Sequence, residues 1–206
     1  MLFTDAYVTV NKPAQGEYKD RGSRFIGLMY PVKSEEEAKE LLKQIKKEHH
    51  SAAHHCWALV LGADAVFKKS TDDREPAGTA GRPILRVVNA HNLTFVLAVV
   101  VRYFGGKLLG VPGLIAAYGE AIRQAVNNAA IVEVIIYDLY FIACTFERQH
   151  EVIKLLKQVS VKFKAMVINE QEGVIFEIKP SQVNPVQKLL SELDFKDLKW
   201  VQPGML

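Results

Sequence analysis

The stretch LTFVLAVVVRYFGGKLLGVPGLIAAYGEAIRQAV, residues 93–126, reads as a strand, a glycine loop and a helix in direct succession. The run to Phe104 is apolar at nearly every position, which predicts a central strand covered on both faces. Leu114, Ile115, Tyr118, Ile122, Ala125, Val126 and Ala129 recur at helical spacing, so a helix is expected to about Ala130. Pro112 suits its first turn, where a missing N–H costs nothing. Between strand and helix lie Gly105, Gly106, Gly110 and Gly113, four glycines in nine residues.

Upstream, AYVTV and SRFIGLMYPV flank NKPAQGEYKDRG, which reads as a β-hairpin over roughly 5–31. In SEEEAKELLKQIKKEHH, Ser34 caps a helix and Glu37 completes a capping box. HHCWALVLG and AVFKKS read as strands, and DDREPAGTAGRP as a loop opening into a helix that runs to about Ala90. Downstream, IVEVIIYDLYFIACTF reads as one long strand leaving one domain for the next. The remainder follows the order β-α-β-β-α-β, with strands at 136–146, 161–169, 173–179 and 196–202 and helices at 147–159 and 181–193. That is a ferredoxin-like unit, with NEQEG as its central turn. The fold class is α+β, with domains over 1–135 and 136–206 meeting near 133–138.

Hydrophobic residues make up 49% of the chain and charged residues 24%, as in ordinary soluble globular proteins. MLFTDAYVTV lacks the basic and apolar regions of a signal peptide, and the longest apolar run, Phe95 to Val101, is too short to span a bilayer. A cytoplasmic protein without a membrane partner is expected. Cys56 and Cys144 are the two cysteines, which excludes a disulfide framework and a four-cysteine zinc site. The net charge of +3 announces no nucleic-acid binder, yet seven of the eight arginines lie within residues 1–135. Planar guanidinium suits phosphate, so that part is the better candidate for a phosphate-rich partner.

The glycine loop fails both standard phosphate-loop patterns. Gly110 is followed by Val111 and Pro112 instead of lysine and a hydroxyl residue, and no dinucleotide spacing is present. What remains is a helix start with bare glycine backbone beside Arg102 and Lys107, able to bind an anion. The competing reading is that the glycines only permit positive φ and close packing. In DDREPAGTAGRP, Asp72, Asp73 and Glu75 could hold magnesium or act as acid and base, or could simply form turns and caps. Gly78, Thr79, Gly81 and Arg82 give this second helix start the same character as the first.

EHHSAAHHCWALV invites a zinc reading, but His54, His55 and Cys56 are consecutive on a strand, where neighbours point to opposite faces. No metal and no cofactor are expected, and His54 and His55 are kept only as candidate lining residues. Tyr103 and Phe104 could stack on bases or could belong to the core.

Taken in order and spacing, KDRGSRFIG, HHCWALVLG, DDREPAGTAGRPIL and VVVRYFGGKLLGVPGLIAAYGEA resemble the IMPACT/YigZ family over about residues 15–130. The tail resembles the small C-terminal domain of its bacterial members. The chain departs from the family pattern at Arg74 and Pro112, where glycine is expected. The resemblance implies an N-terminal domain like the second domain of ribosomal protein S-five and a C-terminal domain like the last domain of elongation factor G. Eukaryotic relatives regulate translation through an extra domain not seen in these residues, so their partner is not carried over.

Two functions follow as expectations. The first is a non-catalytic, translation-associated binding protein that contacts RNA or a ribosome-associated factor, with Arg82, Arg102 and Lys107 lining one surface with the glycine loop. The second is an enzyme on a phosphorylated small molecule, using Asp72, Asp73 and Glu75 beside the loops. A deep pocket uniting carboxylates and loop favours the enzyme; a shallow basic groove favours binding.

Overall fold

The computed structural model describes residues 5–159, 161–167, 172–195 and 198–201. They divide into two compact units, one over Tyr7–Val134 and one formed by residues 5–6 with those from 135 on.

The larger unit opens with β1 (Ala6–Val10), β2 (Ala14–Asp20), β3 (Ser23–Pro31) and α1 (Glu35–Glu48). Then come β4 (His54–Leu61), β5 (Phe67–Thr71), α2 (Gly81–Ala90), β6 (Val96–Tyr103), α3 (Gly110–Asn127) and β7 (Ile131–Ile135). An antiparallel sheet runs β2-β3-β6-β4-β5, with β6 in the middle. Every residue of β6 but Tyr103 is buried, as its apolar run requires. Because side chains alternate along a strand, Ala98 and Val100 enter the core built with α2 and α3. Leu97, Val99 and Val101 enter the core built with Ala38 and Ile45 of α1.

Ser34 accepts from the Glu37 N–H and starts α1, while Glu37 Oε2 accepts from the Lys33 N–H. α3 lies directly on β2 and β3. A Cβ on Gly27 would stand 2.2 Å from the Ala121 carbonyl oxygen, and one on Gly16 would stand 2.4 Å from the Ala125 nitrogen. These paired positions admit no side chain because helix backbone occupies the space.

Two readings of the chain are corrected. β2 and β3 form the hairpin without β1, which pairs with β7 instead. Pro13, which lacks an N–H, interrupts the run between β1 and β2. The supposed long strand after α3 is two, β7 and then β8 (Asp138–Ala143), each in a different sheet. α3 itself ends at Asn127, slightly before the expected Ala130.

The smaller unit continues from β8 with α4 (Phe146–Leu156), β9 (Lys162–Val167), β10 (Gly173–Ile178), α5 (Val183–Glu192) and β11 (Leu198–Trp200). Its sheet order is β11-β8-β10-β9, antiparallel throughout, which with the chain order is a ferredoxin-like arrangement. Ile142, Leu156, Phe176 and Leu190 fill its core. Residues 169–171 of the expected NEQEG turn lie outside the described residues.

Candidate functional site

The antiparallel register sets Phe25, Arg102 and His54 side by side across β3, β6 and β4, on the face that carries α2 and α3. A charged residue therefore closes a strand whose every other inward position is apolar. Arg102 is 5% exposed and lies between two rings, 5.3 Å from the Phe25 centroid and 5.4 Å from that of Phe104. Its Nη1 donates to Glu75 Oε1 at 2.5 Å. The Tyr118 hydroxyl donates to the same oxygen at 2.7 Å, from within the buried stripe of α3. Burial pushes the Tyr118 hydroxyl far above its ordinary value, so it stays a donor. A buried ion pair adds little net stability, but removing one partner strands the other. Arg102 Nε is buried without a hydrogen-bond partner among the described residues.

His54 completes this group. Its Nδ1 lies 2.8 Å from the Asp73 carbonyl oxygen, which can only accept, so Nδ1 carries the proton. In the neutral ring Nε2 then bears the lone pair, and it stands 3.7 Å from Glu75 Oε1. These groups form the polar side of a cavity of about 360 Å³ whose other walls include Phe104, Leu108, Val111 and Leu114. The glycine loop and one carboxylate thus meet in one place.

Three exposed cations neighbour residues that line the cavity without lining it themselves. Arg21 Nη1 donates to the carbonyl of Leu108, and Arg74 Nη2 lies 3.5 Å from the carbonyl of Ala53, next to His54. Lys107 stands beside Leu108 in the loop. Phe104 and Leu108 in the loop and Val111 in the first turn of α3 are 51%, 82% and 51% exposed, large apolar residues lining the same cavity.

The two helix starts differ. At α2, the carboxylate of Asp72 accepts from the N–H groups of Gly78, Ala80 and Gly81 at 2.8–2.9 Å. Burial opposes ionisation of Asp72, but these three donors and Arg82 outweigh it and hold the carboxyl below the usual 3.8. The N–H groups of Gly78 and Gly81 are therefore satisfied by the chain itself. Arg82 packs along Gly78, and Thr79 donates to the carbonyl of Pro76. At α3 no side chain caps the helix, and Gly110 and Val111 of its first turn line the cavity.

The remaining glycines of the loop serve its path. A Cβ on Gly105 would stand 1.9 Å from the Gly22 carbonyl carbon, so the loop is pinned backbone to backbone on the β2–β3 turn. Gly106 and Gly110 hold φ of +82° and +73°. Gly113 faces Leu109, leaving no room for a methyl group.

The three carboxylates of the DDREP segment separate. Asp73 Oδ2 accepts from the His55 N–H, and Glu75 alone reaches the cavity. Among the described residues no group of three His, Cys, Asp or Glu side chains could hold a metal ion. His55 points to the α1 side, with Nε2 3.2 Å from the His49 carbonyl oxygen. Tyr103 also points there, its hydroxyl 2.9 Å from His49 Nδ1. Burial pushes the Cys56 thiol up to about 12, and its Sγ donates to the Asp72 carbonyl, which removes it as a nucleophile near neutrality.

Of the three cations expected on one surface, Arg102 lines the cavity, while neither Lys107 nor Arg82 is among its lining residues. Arg74 has φ +69°, a value that favours the glycine expected at this position. Pro112 occupies the first turn of α3. Sequence reasoning missed Tyr118 and Arg21 as members of the site. A tyrosine within an otherwise apolar helical stripe was the one available signal for Tyr118.

Residues 21–126 match the Impact N-terminal domain. The chain is 34% identical over 190 residues to the IMPACT family member YvyE of Bacillus subtilis, covering 91% of this chain and 87% of the relative. It is 37% identical over 142 residues to the IMPACT family member YigZ of Escherichia coli, covering 68% and 70%. The crystal structure of a hypothetical protein superposes over 98% of this chain and 99% of that one, with a TM-score of 0.67 at 28% identity. No helix among the described residues is long and apolar enough to cross a membrane.

Proposed function

The chain belongs to the IMPACT family, and on that premise we propose that it is a translation-associated binding protein whose larger unit contacts RNA at the start of α3. The observation that carries this reading is the cavity beside the glycine loop, with Arg21 on the carbonyl of its lining residue Leu108 and Arg74 and Lys107 next in sequence to its lining residues Glu75 and Leu108. Phosphate contacts by exposed cations supply sequence-independent affinity, while an aromatic at the mouth offers a stacking surface. The resemblance of the motifs to the family supplies the link to translation.

Fluorescence anisotropy with a structured RNA at about 50 mM salt tests it. Three cations at phosphates predict a log–log salt slope of about −2 to −3. Replacing Arg21, Arg74 and Lys107 together by Gln should weaken binding at least tenfold and flatten the slope. Absence of binding at low salt, or indifference to the triple replacement, overturns the proposal. Ribosome association that survives nuclease digestion and requires Leu108 and Val111 would point to a protein partner instead.

One observation favours an enzyme as a second reading: His54 Nε2 and Glu75 share the cavity at 3.7 Å. Asp72 and Asp73 are engaged with backbone N–H groups, so this reading narrows to His54 and Glu75. A phosphate-transfer screen with magnesium, run beside Glu75→Gln, tests it; absence of any turnover removes it.

A further inference from the structure

The ribbon of β1 and β7 has one open edge. β7 has β1 as its one strand neighbour among the described residues. The Asn11 N–H donates to the Ala130 carbonyl and the Ile136 N–H to that of Asp5, so the pair is antiparallel and β1 takes the even-numbered backbone groups of β7. The N–H and C=O groups of Ile131, Glu133 and Ile135 therefore point to the other edge, where they have no hydrogen-bond partner among the described residues. Their side chains are exposed, Ile131 and Ile135 at 43% each. Proteins ordinarily cover or blunt such an edge.

The opposite face of β7 meets a cavity of about 550 Å³. Val132 and Val134 line it, together with Tyr7 and Thr9 of β1, Val32 and Phe95. Phe95 keeps a φ of +51°, rare for a bulky residue. Its carbonyl accepts from the Val32 N–H at 2.8 Å and from Thr9 Oγ1 at 3.4 Å, and its ring stands 4.6 Å from that of Tyr7. These contacts hold an aromatic wall beside the open strand.

We infer that this edge and cavity together take an extended peptide of a partner protein as a third strand, with a basic residue opposite Glu133 and a β-branched apolar residue on each side of it. An added strand repeats the pleat of β7, so its residues opposite Val132 and Val134 share their face and reach the cavity. Main-chain bonds to Ile131, Glu133 and Ile135 supply affinity, and the cavity selects the alternate side chains. Glu133 is exposed and has no ion pair among the described residues, which leaves its carboxylate to a cation on the added strand. The same charge disfavours a second copy. IVEVI reads alike in both directions, so two β7 strands paired about Glu133 set two carboxylates face to face.

The probe is a fluorescein-labelled peptide, Ser-Thr-Val-Lys-Val-Thr-Ser, titrated with the whole chain and read by anisotropy. Saturable binding is expected below about 1 mM. Glutamate in place of the lysine should weaken it about threefold to tenfold. Glu133→Lys should invert that preference, with folding checked by circular dichroism. Two methylated peptides isolate the backbone. In the antiparallel pairing the lysine N–H donates to the Glu133 carbonyl, whereas the N–H of the following valine points away. N-methylation at the lysine should cost at least about fivefold, and at that valine less than about twofold. On binding, the amides of Ile131, Glu133 and Ile135 should gain protection from hydrogen exchange, and those of Val132 and Val134, which already face β1, should not.

Failure to saturate by about 1 mM, equal losses from the two methyl groups, or protection elsewhere in the chain overturns the inference. Sedimentation of the chain alone as a dimer with those three amides already protected would assign the edge to a second copy and overturn it too. The surface shares no lining residue with the cavity at the start of α3, so neither result bears on RNA binding.

Discussion

At the start of α2, three backbone N–H groups converge on the carboxylate of Asp72; at the start of α3, no side chain caps the helix and a cavity lies against its first turn. Both starts are glycine-bearing and both stand over the same sheet, yet one is closed from within and the other faces outward. A helix end with an internal carboxylate contributes stability, because orphan donors are satisfied and the dipole is complemented. A helix end left open has its donors available to a ligand. The presence of glycine does not distinguish the two; the location of the nearest carboxylate does.

The largest expected effect concerns the open side. Glu75→Ala strands Arg102 at 5% exposure and removes the partner of the Tyr118 hydroxyl. It should cost about 3–5 kcal/mol, read as a fall in urea midpoint at unchanged slope. A change below 1 kcal/mol would mean that Arg102 is not held by Glu75 in solution. Next comes Gly105→Ala, which drives a methyl group into the Gly22 backbone and should cost about 2–3 kcal/mol. Gly106→Ala, with open space around it, should cost about 1 kcal/mol through its positive φ alone. Similar losses at the two positions would contradict the pinned loop.

The closed side comes third. Asp72→Ala should cost about 1–2 kcal/mol, since it leaves three donors at the α2 start without their acceptor. Asp72→Asn keeps the shape and loses the charge, so its difference from the wild type should depend on pH. The folded carboxyl lies below 3.8, so the unfolded chain takes up the proton first. The advantage of the wild type is therefore complete above 3.8 and disappears as pH falls through the lower folded value. A difference that grows towards acid would reverse the assignment.

The smallest effect is Arg74→Gly. It relieves a φ of +69° and should raise stability by about 0.5–1 kcal/mol while weakening RNA binding. Destabilisation on thermal melting would show that Arg74 is held by contacts that outweigh its backbone strain.

Local pattern made much of this fold legible. The apolar run of β6, the capping box of α1 and the alternation of elements in the smaller unit are each decided within a dozen neighbouring residues. What escaped was the pairing of distant segments. Nothing near Ala6 says that β1 pairs with β7, and nothing near Ile135 says that the strand stops and another sheet begins. The site divides along the same line. Gly105–Gly113 and the DDREP acids stood out by composition, but the roles of the acids depended on reach. Asp72 folds back onto α2, Asp73 turns to the His55 N–H, and Glu75 points inward to Arg102. The row of Phe25, Arg102 and His54 exists only through register, which no spacing along the chain encodes. Tyr103 followed Arg102 in sequence and faces the other side for the same reason, the alternation of a strand.

Amide chemical shifts of the labelled whole chain, followed during titration with the structured RNA, separate the two helix starts most directly. The open start predicts shifts concentrated at Phe104, Lys107, Leu108, Gly110 and Val111, with Gly78, Ala80 and Gly81 unmoved because Asp72 already holds their N–H groups. Shifts centred on Gly78–Gly81, or none at either helix start, would contradict it.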